Sequence, residues 1–168
     1  MNASSVSNEL SSKRILITLT RRSRSVRELP RRRSLQGNSL PDLASAGLSA
    51  TALPVGRPGL LCLLDWEQRP SRRVLGLLTD QVDAFKQKGL AVAMVQAVPT
   101  SDETWQELKS AVDAESFVVG RVSSKTPEAR WATEATPLPW LILVNSEGRV
   151  AAEGFPPNEL DVKIDGLK

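Results

Sequence analysis

Thr136-Pro137-Leu138-Pro139-Trp140-Leu141-Ile142-Leu143-Val144-Asn145-Ser146-Glu147-Gly148-Arg149-Val150 is the stretch that decides how this chain folds. Trp140 to Val144 is an unbroken apolar run and reads as a strand. Asn145-Ser146-Glu147-Gly148 has the residues of a hairpin turn, and Arg149 to Glu153 return antiparallel to the run before it. Beyond Pro156-Pro157 a short helix is expected from about Asn158 to Ile164.

Working toward the N-terminus, the elements alternate. Thr126 reads as an N-cap before Pro127, opening a short helix that carries Ala129 and Trp131. Phe117-Val118-Val119 is a short extended piece. Trp105, Leu108 and Val112 mark a helix, and Thr100 with Glu103 three residues on has the pattern of a capping box. Leu90 to Val98 reads as a buried strand. Val74, Leu75, Leu78, Val82 and Phe85 recur at spacings of three and four, the stripe of one helix. Pro70 stands in its first turn, and Gly89 would close it in a left-handed cap. Leu60-Leu61-Cys62-Leu63-Leu64 is apolar at every position, which suits a central strand covered on both faces. A βαβ unit followed by a hairpin and a terminal helix makes a three-layer α/β/α sandwich around a mixed sheet.

This order resembles the thioredoxin superfamily, in particular its TlpA-like, redoxin-type branch, over about residues 40–165. Two motifs carry the resemblance. One is Leu60-Leu61-Cys62-Leu63-Leu64-Asp65-Trp66-Glu67-Gln68-Arg69-Pro70-Ser71-Arg72, an apolar strand, a turn with an aromatic residue, and a helix start. Relatives carry Cys-x-Pro-Cys there, and alignment on Pro70 puts Gln68 and Ser71 in the two cysteine slots. The other is the stretch quoted at the outset, in which the resemblance gives Pro139 the place of a cis-proline.

The resemblance implies a chemistry that these residues do not supply. In the family the first cysteine is a thiolate at a helix N-terminus, and it attacks a disulfide that the second cysteine resolves. The amide of Gln68 is not a nucleophile, and the hydroxyl of Ser71 has no evident base to activate it. The active-site motif thus reads as degenerate, with no catalytic residue assigned. The one cysteine, Cys62, lies mid-strand between leucines and reads as a buried small hydrophobe. The opposing expectation is a thiol-disulfide or peroxide oxidoreductase that uses Cys62 with an external thiol.

Three further candidate features surround the same junction. The resemblance implies that the backbone before Pro139 pairs with an extended peptide, so Trp66, Gln68, Arg69, Ser71, Leu138, Pro139 and Trp140 form a candidate peptide groove. Arg69, Arg72 and Arg73 at the helix start are a candidate anion site, set against the plainer expectation of a solvated basic turn. Asp65 and Glu67 are a carboxylate pair, but a spacing of two along a loop does not define a hydrolytic geometry.

Composition narrows the remaining classes. The 168 residues are enough for one domain with a core. Histidine is absent, which removes the usual general base at neutral pH and the commonest metal ligand. One cysteine cannot make an internal disulfide or a cysteine-based zinc or iron–sulfur site, and no cofactor or metal is expected. Residues 1–40 hold nine Lys/Arg against Glu9 and Glu28, a net +7, so the rest of the chain sums to −4 within a total of +3. Residues 1–38 read as a disordered Ser/Arg-rich tail and 39–168 as the domain. The tail could meet an anionic surface, and the domain an unidentified protein or peptide. Ile15 to Leu19 is too short for an export signal or a membrane span, so a cytoplasmic location is the expectation.

Overall fold

The structure, a computed structural model, describes residues 33–123 and 127–167. Five strands, β1 (Gly59–Leu64), β2 (Ala91–Gln96), β3 (Val118–Arg121), β4 (Trp140–Val144) and β5 (Val150–Glu153), form one mixed sheet in the order β3-β2-β1-β4-β5. β1 runs parallel to β2, with Cys62 opposite Met94, and antiparallel to β4, with Cys62 opposite Leu141. β2 and β3 are parallel. β4 and β5 are antiparallel, with a register shift between Leu143 and Val144. Every residue of β1 and β2 is buried, which is why their sequences are continuous apolar runs instead of alternating ones. Leu60, Cys62 and Leu64 enter one core cluster and Leu61 and Leu63 the other, as the two-residue period of a strand requires.

The two faces are covered unequally. Five helices are present among the described residues: α1 (Arg69–Asp80), α2 (Val82–Gln87), α3 (Asp102–Ala111), α4 (Arg130–Thr133) and α5 (Leu160–Asp165). On one face Val74, Leu75 and Leu78 of α1, Phe85 of α2, Leu108 of α3 and Leu160 of α5 share the core cluster. The other face is covered by a 3₁₀ turn at Leu43–Ala46, by Leu48 and Ala52, and by Ala132 of the short α4. Small residues let this thin layer approach closely. A Cβ on Gly120 of β3 would stand 2.7 Å from the Ala46 carbonyl oxygen and 2.8 Å from Leu48 Cγ. The α/β sandwich expected from the sequence is therefore present, with one thick and one thin helical layer.

Several local expectations are corrected. The helix expected to run unbroken from Pro70 toward Gly89 divides at Gln81, whose φ of −101° and ψ of 6° interrupt it. The apolar stripe continues through the break because Phe85 returns to the cluster that holds Leu78. Gly89 does take the left-handed conformation, at φ 65°. The cap of α3 is Ser101 and not Thr100: Ser101 Oγ accepts from Thr104 N at 3.1 Å. Thr100 Oγ1 is instead buried with no hydrogen-bond partner among the described residues. Glu103 still falls in the first turn, where a carboxylate complements the helix dipole. The return strand starts at Val150, after Asn145 Oδ1 has accepted from the N–H groups of Glu147 and Arg149. The last helix is preceded by a 3₁₀ turn at Pro157–Glu159.

Of residues 1–38, assigned to a tail from composition, the structure describes 33–38. Leu35 N donates to Glu153 Oε1 at 2.7 Å, Gly37 N to the Val150 carbonyl and Val150 N to the Asn38 carbonyl. This segment runs along β5 and shields the sheet edge that β5 would otherwise present. The Ile15–Leu19 island, the basic residues before Arg33 and the Thr126 cap lie outside the described residues. Among those described, no helix is long and apolar enough to cross a membrane, and no three His, Cys, Asp or Glu residues cluster to hold a metal ion.

Candidate functional site

β1 delivers the chain to a polar turn at the N-terminus of α1, and a buried carboxylate organises that turn. Asp65 is 8% exposed. Its Oδ1 accepts from Glu67 N at 3.2 Å and from Gln96 Nε2 at 3.3 Å, and its Oδ2 accepts from Gln68 Nε2 at 2.8 Å. Asp65 N donates to Ser71 Oγ at 3.1 Å. Gln96, at the end of β2 and 1% exposed, completes the knot: its Oε1 accepts from Trp66 N at 2.9 Å, and its Nε2 donates to the Val98 carbonyl at 3.0 Å. A buried carboxylate tolerates burial only when such donors surround it. Arg72 Nη1 closes the turn from outside by donating to the carbonyls of Trp66 and Glu67, both at 2.8 Å. Gln68 and Ser71 thus have their polar atoms turned onto Asp65.

Cys62 lies within β1, fully buried, with neighbours from β2 and β4 on either side. Burial disfavours the thiolate and pushes the thiol from 9.0 up to about 12. At neutral pH the ionised fraction is then roughly one in a hundred thousand. A thiol reacts as its thiolate and only where a reagent can reach it.

An open groove of about 530 Å³ lies beside the same helix. α1 contributes Pro70, Arg73, Val74 and Leu77; the segment before β4 contributes Pro137 to Pro139 and β4 itself Trp140; the turn after β5 contributes Gly154 to Asn158. Both Thr136–Pro137 and Leu138–Pro139 peptide bonds are cis. Gly154 sits beneath the Trp140 ring, where a Cβ would come within 2.6 Å of Cζ2 and Cη2, and its φ is 67°. The lining is largely apolar with one charged side chain, that of Arg73.

The candidate residues therefore divide. Leu138, Pro139 and Trp140 line the groove together with Pro70. Gln68 and Ser71 belong to the Asp65 knot. Trp66 and Trp140 pack against opposite faces of the sheet, Trp66 with the α1 side and Trp140 with the α4 side. Of the three arginines, Arg72 is committed to loop carbonyls while Arg73 borders the groove. The Asp65 carboxylate is buried and accepts from the Glu67 N–H, whereas Glu67 is exposed to solvent. Reading the sequence missed Gln96, whose signal was a lone amide ending an otherwise apolar strand. It also missed Leu77 and Phe155, which no local pattern places beside Pro139.

No protein-family model matches the sequence, and no curated protein matches it. Solved structures do match. A thioredoxin-like protein from Bacteroides caccae is 14% identical, with a TM-score of 0.56 over 68% of this chain, which spans 42% of that protein's length. A thiol-disulfide oxidoreductase from Bacteroides fragilis is 21% identical, with a TM-score of 0.58 over 81% of this chain and 100% of that one. The thioredoxin domain of a thiol-disulfide oxidoreductase from Bacteroides vulgatus is 16% identical, with a TM-score of 0.56 over 75% of this chain and 99% of that one. Strand order, the placement of α1 after β1, and these likenesses agree: the chain has a thioredoxin-like fold.

Proposed function

We propose that this chain is a redox-inactive thioredoxin-like module of the TlpA-like, redoxin type, which binds an extended segment of a partner protein in the groove beside Pro139. One observation carries the proposal: the chain's single cysteine is sealed inside the sheet while a largely apolar groove stands open between α1 and the Pro137–Trp140 segment. Gln68 and Ser71, in the slots that relatives fill with cysteine, serve as polar clamps on Asp65 in a degenerate active site. The groove supplies apolar area from Leu77, Leu138 and Trp140, the kind of surface on which peptide side chains are desolvated. Purified protein in an insulin-reduction assay with dithiothreitol is expected to give turnover no higher than the uncatalysed background. Turnover that persists in a Cys62→Ser variant would reject the proposal.

A second reading draws on the names of the two Bacteroides thiol-disulfide oxidoreductases that share the fold. There the chain would exchange disulfides, or reduce a peroxide, through Cys62 with a thiol from another molecule. It requires turnover in the same assay that disappears in Cys62→Ser.

A further inference from the structure

The groove carries a charge that its apolar lining does not explain. Arg73 is its one charged lining residue and is exposed to solvent, and its guanidinium makes no ion pair or hydrogen bond among the described residues. Its neighbour Arg72 differs in being held by two carbonyls. An unpaired guanidinium at the rim of an apolar groove presents a planar set of donors that matches a carboxylate.

The lining also limits how an occupant can use its main chain. Pro70, Pro137, Pro139, Pro156 and Pro157 have no N–H to offer. Leu138 lies between two of them and makes no main-chain hydrogen bond among the described residues. A long ladder like that of an added sheet strand cannot form along Pro137–Pro139. Main-chain donation along this segment is confined to the single residue Leu138, and the prolines offer carbonyl acceptors only. Side chains must then supply the selectivity that a ladder would otherwise share.

We propose that the groove selects extended peptides in which an Asp or Glu side chain stands beside apolar residues, with Arg73 pairing the carboxylate and Leu77, Trp140 and Phe155 receiving the apolar neighbours. This deepens the proposed function and rests on it. Charge argues against the chain's own leader as occupant, because residues 1–32 hold eight Lys/Arg against two Glu and would meet Arg73 with like charge.

A phage-displayed library of random nine-residue peptides, selected on the full chain with a Leu138→Asp variant as the counter-selection, is the test. Wild type is expected to enrich peptides with an acidic residue flanked by apolar ones. For synthetic versions of these, Arg73→Gln is expected to weaken binding by about fivefold, in line with a rim ion pair. Arg73→Glu is expected to turn the preference toward Lys and Arg. Enriched apolar peptides with no acid preference, or an acid preference that Arg69→Gln abolishes and Arg73→Gln leaves intact, would overturn the inference and spare the binding function. No enrichment over the counter-selected variant would overturn both. A dimer of the chain that Arg73→Glu dissociates would give the groove to a second copy and likewise overturn the inference. Because Arg73 is exposed, its variants keep the fold, and unchanged urea midpoints check this.

Discussion

Gln96 is a polar side chain where an apolar one would pack more simply, and its three hydrogen bonds say why it is there. Gln96→Leu keeps the volume but strands Trp66 N–H and removes a donor from the Asp65 carboxylate. Losing partners for buried polar groups costs about 1–3 kcal/mol for each group. Urea denaturation is expected to show Gln96→Leu destabilised by about 2–4 kcal/mol. Ser71→Ala, which deprives the Asp65 N–H of its acceptor, is expected to lose about 1–2 kcal/mol. Equal stability of both variants and wild type would show that the knot does not organise the turn. Cys62 adds a pH signature. Its folded pKa, about 12, lies above the unfolded value of 9.0. Any stability tied to the neutral thiol is therefore complete below pH 9.0 and declines as pH rises toward 12. Wild type is expected to lose stability between pH 9 and 11 more steeply than Cys62→Ala, by up to about 1.4 kcal/mol per pH unit.

At the scale of elements, β4 and the turn after β5 meet at one tight contact that shapes the groove. Gly154→Ala would place a methyl group against the Trp140 ring and force a side chain into the left-handed region. It is expected to destabilise the fold by about 1–3 kcal/mol, as overpacking does, and to change the fluorescence of Trp140. Wild-type-like stability and emission would contradict this packing. The sequence made some elements plain and hid others for the same physical reason. β1 and β4 are read easily because burial on both faces demands apolar runs. The break at Gln81 is silent because the stripe from Val74 to Phe85 keeps its period across it. Thr100 and Ser101 are adjacent residues that both suit a cap, so residue type alone does not choose between them. The thin layer over residues 43–52 has no period to detect, since one 3₁₀ turn and small residues do its packing.

The whole molecule joins these parts through contacts distant in sequence. Its candidate groove draws on α1, on the Pro137–Pro139 segment and on the turn at Pro156, more than eighty residues apart at the extremes. That is why Pro70 and Pro139 could be singled out from motifs while Leu77 and Phe155 could not. The first are marked by residue type, the second only by where the chain returns. The same assembly seals Cys62 between β2 and β4, so access to its sulfur reports on the integrity of the entire sheet. Iodoacetamide labelling followed by intact mass measurement therefore tests the central claim most directly. The account predicts no adduct on native protein at pH 8 and one adduct in guanidinium chloride. Complete labelling of the native protein on the timescale of an exposed thiol would contradict it.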